Sequence, residues 1–398
     1  MGSRRGEVTY LSGAIAVRLV TEGVGVALVL VAAQDLRSVA LGGVLLACLM
    51  APSVVAAPLI GALLDSAPSP RLAMLGGGLV LAAGLLVAAF AGRVPLPLVI
   101  VALLASGCAL PMFIGGLSAF SSEVMPGDVA RATSVDALSY NLAGIGGPAV
   151  VAGMSALLTP SGALLALAGV MVAGSLVLQL LPITGRGGSL HPAALARGIA
   201  AAMRHLVTHG PLLRVALGGA VVMIGAGGLP VVAVLVAVSR GQSETAGGVL
   251  LTAFSIGGVA GALAIAVPAV TRFLGRFRAH RVMALCFALT GLGTLLAGVL
   301  PGFPLVAVAL ALAGLPDAPG VAAMLRLRSE ESPAAVRAQI FVVASGLRVG
   351  SAALGAALAG ALSGLDPSIL LLLIAAAWFA SAPILLVGRP RNEIRRFG

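Results

Sequence analysis

Lysine is absent from this chain: all 24 basic residues are arginine, and charged residues of either sign make up only 9% of 398 positions. A soluble domain carries roughly 25% charge, so a water-facing globule is excluded. Cysteine occurs three times, at Cys48, Cys108 and Cys286, each within an apolar run and with no C-x-x-C spacing. Neither a disulfide framework nor a zinc site follows, and the three read as small packing residues. No P-loop, G-x-S-x-G, H-E-x-x-H or metal-spaced cluster of histidines is present, and the loops are too short for a catalytic domain. An enzyme, a bound metal, a soluble cofactor and coupling to ATP are therefore not expected. Aromatic residues amount to 4%, and the one tryptophan, Trp378, lies in the last apolar run, where it carries no functional signal. What remains is 60% hydrophobic with a mean hydropathy of +1.13, the composition of a polytopic membrane protein.

The first apolar run, Leu11 to Ala32, suits a membrane span, because about 20 residues at roughly 1.5 Å rise match a hydrocarbon core of roughly 30 Å. It follows Arg4 and Arg5 without an A-x-A type cleavage site and reads as a retained span, not a signal peptide. Near its middle stand Arg18 and Glu22. A charge at that depth costs roughly 2.5 to 3.5 kcal/mol on insertion scales. Four residues apart, the two share a helix face on which a salt bridge can form, and that face must look into protein or water. The pair either locks helix packing or lines a transport cavity.

Apolar runs between breakers give twelve candidate helices, at roughly 10–32, 38–63, 71–91, 95–117, 133–157, 161–183, 211–238, 245–270, 280–300, 304–326, 338–362 and 367–388. With an N-terminus in the cytoplasm, nineteen arginines fall on the cytoplasmic side, Arg328 and Arg337 among them, and only Arg37, Arg93 and Arg240 on the other. Both termini are expected to be cytoplasmic, and the positive-inside rule accounts for the net charge of +11 without nucleic acid. The 54 glycines are spread through the apolar runs, as close packing of helices in lipid requires.

The longest connection, 184–210, places Leu195, Ile199, Met203 and Leu206 at helical spacing, with Arg197, Arg204, His205 and His209 facing elsewhere. It is expected to form an interfacial amphipathic helix between a first half, 1–183, and a second half with a basic tail, 211–398. The histidines, with no carboxylate nearby in sequence, read as solvated and not as metal ligands. An internal repeat supports the division. EVMPGDVARA, Glu123 to Ala132, precedes the fifth run and EESPAAVRA, Glu330 to Ala338, the eleventh, which sets Arg131 and Arg337 206 positions apart. Pro111 and Pro316, each preceded by Leu, lie 205 apart. Near-equal offsets in two places indicate a parallel duplication.

The pattern resembles the major facilitator superfamily, and within it bacterial proton-coupled efflux proteins of the multidrug type. The resemblance covers essentially the whole chain and implies an all-α integral membrane fold of twelve transmembrane helices in two six-helix pseudo-symmetric halves. Gly61, Asp65 and Arg71 look like a worn G-x-x-x-D-x-x-x-R signature, whose implied role is a conformational latch; Asp65 as a simple helix-end charge is the plainer reading. Gly144, Gly146, Gly147, Pro148 and Gly153 resemble the antiporter signature of glycines around a Gly-Pro. A kinked, sliding contact at Gly147 and Pro148 follows from it.

In that family helices one, four, seven and ten line the cavity, which implies that Arg18 and Glu22 face it. Asp317 lies between Pro316 and Pro319 in helix ten, and Arg348 near the middle of helix eleven. Repeat-equivalent positions hold Ile224, Gly228 and Leu142, so the charges are asymmetric between halves. Apolar surroundings favour a neutral carboxyl and a nearby guanidinium favours a charged one, so an acid beside an arginine can exchange a proton as a cavity opens and closes. Glu22 is the first choice for proton coupling and Asp317 the second, with Arg18 and Arg348 as charge partners or anion-binding groups. Helix capping for Asp317 and structural pairing for Arg348 are the plainer readings. Met112, Phe113 and Met223 are candidate substrate-lining residues, though methionine at such spacing more often packs. Asp136 and Arg131 read as interfacial anchors. The expected function is proton-coupled export of a small amphiphilic or drug-like molecule by a monomeric, multi-pass protein of a bacterial inner membrane. Uptake of a nutrient or metabolite is the rival within transport, and a non-transporting sensor or scaffold the rival of another class.

Overall fold

The computed structural model describes residues 2–126, 129–184, 192–333 and 337–387, without the side chains of residues 2–5, 65, 129, 130, 192–195, 337 and 338. Among these residues the regular elements are all helical. The first half contains α1 (Gly2–Gln34), α2 (Val39–Met50), α3 (Ser53–Ser66), α4 (Pro70–Ala89) and α5 (Leu96–Pro111). A π-helical turn (Met112–Gly116), short α6 (Ser121–Val124), α7 (Val129–Leu157) and α8 (Pro160–Leu178) complete it. After α9 (Pro192–Thr208) come α10 (Gly210–Ser239), α11 (Ala246–Ala266), short α12 (Pro268–Gly275), α13 (Ala279–Val299), α14 (Phe303–Gly314), α15 (Asp317–Glu331), α16 (Arg337–Ala361) and α17 (Pro367–Leu386). Eleven spans are long and apolar enough to cross a membrane. The remaining one, α7, is as long but more polar, because Arg131, Asp136, Ser139 and Tyr140 occupy its first half.

Local sequence explains the boundaries. Pro70, Pro160 and Pro367 occupy first helical positions, where no amide donor is needed. The Thr159 and Asp366 side chains cap α8 and α17 by accepting from the Gly162 and Ser368 amides at 2.9 and 2.8 Å. The second run, expected to be continuous, breaks between Met50 and Ser53, since Pro52 cannot donate to the ladder. Pro111 and Pro316 likewise end regular α-helix, at the π turn and between α14 and α15. Pro148 does not: α7 runs on through it.

Helix neighbours repeat between the halves. The central α1 packs on α7 and α8, and α10 packs correspondingly on α16 and α17. Glycine permits the closest of these approaches. A methyl group on Gly147 would lie 2.7 Å from the Gly23 nitrogen and 2.9 Å from the Leu19 oxygen, while Gly144 and Gly153 face open space. Gly147 therefore carries the close backbone contact between α1 and α7, with Gly146 beside the Leu19 side chain at an ordinary 3.5 Å.

The halves meet at the face away from the chain termini. There α2 approaches α16 so closely that a methyl on Gly43 would come within 2.3 Å of the Ala356 oxygen. The Gly248 backbone of α11 rests against Ala152 of α7. Toward the termini the same helices leave space. The amphipathic helix forms as α9, but its buried stripe is Ala202 and Leu206, set against Leu212, Ala216 and Ile340, while Met203 turns outward. Leu195 lies outside the described side chains.

Candidate functional site

Arg18 is fully buried, and its partner is not Glu22. Its Nη2 forms an ion pair with Asp136 Oδ1 at 2.8 Å and donates to Ser118 Oγ at 2.8 Å. Nη1 donates to the Asp136 carbonyl at 3.1 Å and to Ser139 Oγ. Nε donates to the Phe113 carbonyl at 3.3 Å, and the Tyr140 ring centre lies 3.7 Å from the guanidinium carbon. Tyr10 donates to the same Asp136 Oδ1 at 2.6 Å, so both tyrosines of the chain join this cluster. The π turn explains its location. A widened turn leaves carbonyls outside the α ladder, and Arg18 and Tyr140 donate to two of them, on Phe113 and Ile114. This corrects two expectations: Arg18 is a structural tie among α1, the π turn and α7, and Asp136 is its half-buried counter-ion. Arg131, by contrast, is an exposed anchor that pairs with Glu7 at 2.9 Å.

With Arg18 occupied, Glu22 is left facing space. It opens into a cavity of about 280 Å³ that it lines with Gly25, Leu46 and Met50 on one side and Met223, Gly227, Pro230 and Ala352 on the other. Among the described residues no hydrogen bond or ion pair reaches its carboxylate; Arg18 acts on it only at a distance. A second cavity, of about 330 Å³, shares Ser53, Ile114 and Val349 with the first and continues toward the face bearing the termini, past Gly61, Phe120, Phe341 and Ser345. Together they form an apolar passage between the halves, closed at the opposite face by the Gly43 contact.

The expectation that helices one, four, seven and ten surround this space is met by α1, the α5 end, and α10. The tenth helix contributes to neither cavity; α2, α3 and α16 do instead. Asp317 is therefore half-buried behind the wall, within electrostatic reach of Arg348 but with no ion pair to it. Of the candidate lining residues only Met223 lies on the wall. Met112 and Phe113 are core residues, 5% and 0% exposed, turned toward Gly77 of α4 and toward Gly78.

Arg348 donates through Nη2 to Met223 Sδ at 3.4 Å. Beside it lies Arg328, counted above among the arginines of the cytoplasmic side, and only 1% exposed. The signal available in sequence was its phase: Arg328 follows Gly320 and Met324 at intervals of four, and both are buried.

Of the candidate latch, Gly61 lines the second cavity. Arg71 Nη1 donates to the Gln179 and Leu181 carbonyls at 3.0 and 3.1 Å, tying α4 to the end of α8. The Asp65 side chain lies outside the described residues. His209 does have a carboxylate partner, Glu331 at 2.9 Å, and its ring stacks on His205. No group of three metal-ligating side chains occurs among the described residues.

The sequence model of the Major Facilitator Superfamily matches residues 10–264. No curated protein sequence matches significantly. Solved structures with the same fold include a peptide transporter, POT, at 18% identity and a TM-score of 0.77, with 96% of this chain and 93% of that one covered. The nucleoside transporter NupG aligns at 14% identity and a TM-score of 0.75, covering 96% and 98%. A POT family transporter in complex with 5-aminolevulinic acid aligns at 12% identity and a TM-score of 0.75, covering 96% of each chain. The twelve-span duplicated fold and the family match agree: this chain belongs to the Major Facilitator Superfamily and is a multi-pass secondary transporter, not an enzyme.

Proposed function

We propose that the chain exports a small amphiphilic molecule in exchange for protons, as a monomer in a bacterial inner membrane with both termini cytoplasmic, and that Glu22 is its proton-binding group. The observation that carries the reading is the position of Glu22, a carboxylate without a bonded partner on the wall of an apolar cavity shared by both halves. A lone carboxylate facing such a space takes up a proton when the surroundings dry and releases it when water enters. The apolar lining suits a substrate held by shape and burial, with Met223 as its compliant contact. Closure at Gly43 and space toward the termini correspond, in this reading, to a state open to the cytoplasm. Asp65 and Gly61 remain the proposed latch at the end of α3.

The test is transport by the purified protein in proteoliposomes against a compound panel, with and without a proton gradient. Outward drug-like flux driven by inward protons supports export. Inward flux of a polar solute alone supports uptake and refutes the proposal, and ligand binding without any flux would mark a sensor.

A further inference from the structure

The polar groups that transport by Glu22 does not use lie together in the second half, and they are short of an anion. Arg328 of α15 is 1% exposed, and among the described residues its Nε and Nη2 have no hydrogen-bond partner; the Nε of Arg348 on α16 has none there either. Both side chains reach the same stretch of α10: a methyl built on Gly219 would lie 3.1 Å from Met324 Sδ, 3.6 Å from Arg328 Nη2 and 3.9 Å from Arg348 Cδ, so the bare glycine lets the two arginines pack beside each other against the helix.

The acids of α15 do not neutralise this pair. Glu330 is bonded to Arg326 at 2.6 Å and Glu331 to His209 at 2.9 Å. Asp317 makes no ion pair among the described residues, and a single carboxylate leaves one of two positive charges unbalanced. A buried arginine with open donors is costly unless an anion supplies the acceptors, and its planar fork fits a carboxylate or phosphate. Arg348 also adjoins the passage, since the Met223 residue whose sulfur it bonds is itself part of the cavity wall.

We infer that Arg328 and Arg348, beside Gly219, form an anion subsite that takes the acidic group of the substrate, whose apolar body lies in the cavity next to Met223. This deepens the transport reading by naming the substrate class: a small amphiphilic acid, not a cationic drug. A displaced Met223 side chain opens Arg348 to the cavity, and the anion then satisfies both guanidinium groups.

The probes are benzoate, its neutral counterpart benzamide, and benzylamine, titrated against the full chain in uncharged detergent with thermal stability and calorimetry as readouts. Benzoate is expected to bind saturably, with benzamide and benzylamine at least tenfold weaker. Arg328→Gln and Arg348→Gln should each weaken benzoate at least tenfold, whereas Arg326→Gln, an exposed residue, should leave it unchanged. Arg328→Lys, which keeps the charge, serves should either glutamine variant fail to fold. Without ligand, Arg328→Gln should be no less stable than the wild type, because an unpartnered charge is removed; marked destabilisation would reveal a structural pairing and overturn the inference. Equal binding of benzoate and benzamide, or benzoate binding unaltered in both arginine variants, would also overturn it. Phosphatidylglycerol offers the same chemistry from a lipid, and stabilisation by that lipid without any by benzoate would refute the substrate assignment. Benzoate binding in detergent is read without any proton gradient, and gradient-driven flux is read in proteoliposomes, so failure of this subsite and failure of proton coupling are separately visible.

Discussion

Replacing Asp136 with Asn changes one charge while keeping the shape of the Arg18 cluster. Two strong bonds meet on Asp136 Oδ1, from Arg18 Nη2 at 2.8 Å and Tyr10 at 2.6 Å. Hydrogen bonds to a charged group contribute about 1.5–3 kcal/mol and neutral ones about 0.5–1.5, so the Tyr10 bond drops to the neutral range while the Arg18 bond keeps a charged donor but loses its ion pair, about 2 kcal/mol together. Asp136→Ala removes the acceptor as well and should cost about 3–5 kcal/mol, the range for a buried ion left alone. Arg18 keeps neutral acceptors on Phe113, Ser118 and Ser139, which holds the Asn variant toward the low end. Equilibrium unfolding in mixed micelles measures both variants. A wild-type midpoint for Asp136→Ala would refute the structural role assigned to Arg18, as would a Glu22→Gln variant that loses as much stability as Asp136→Asn.

Three further outcomes follow from packing. Gly147→Val should destabilise by about 1–3 kcal/mol through overpacking against Gly23, while Gly144→Ala and Gly153→Ala, which face open space, should stay near wild type in the same unfolding assay. Gly43→Leu should hold α2 away from α16 and open the face opposite the termini, seen as faster labelling of a cysteine placed at Ala356 in a cysteine-free background. Met223→Ala should alter substrate affinity in binding assays with little loss of fold. Phe113→Ala should instead cost about 3–5 kcal/mol of stability and leave selectivity unchanged, since that ring is buried away from the cavity.

Most of the fold was legible because membrane burial writes itself into runs: most helix boundaries follow the apolar stretches and their prolines to within a few residues, whereas α1 begins at Gly2 and α15 runs on to Glu331, through polar residues beyond the apolar runs. The partnership of Arg18 was not, although its ingredients were visible. Asp136, Ser139 and Tyr140 recur at intervals of three and four on one helix, a polar stripe that in lipid must face protein. The nearer acid in sequence, Glu22, drew the pairing, because spacing along a helix says nothing of what a neighbouring helix offers. The burial of Arg328 was not legible for a related reason. Nearness to a helix end places the backbone but not a long side chain, which here reaches inward beside Gly219. The prolines at 52 and 111 mark where the helices break, but the contacts made there, such as the Ser53 hydroxyl donating to the Gly107 carbonyl at 2.8 Å, are tertiary and no local pattern encodes them.

The division of labour between a structural Arg18 and a proton-binding Glu22 is tested most directly by Glu22→Gln in proteoliposomes, comparing accumulation driven by a pH gradient with energy-independent counterflow of the same substrate. Gradient-driven accumulation is expected to vanish while counterflow persists, because alternation survives and only the proton has lost its site. Undiminished gradient-driven accumulation in that variant would contradict the assignment of Glu22.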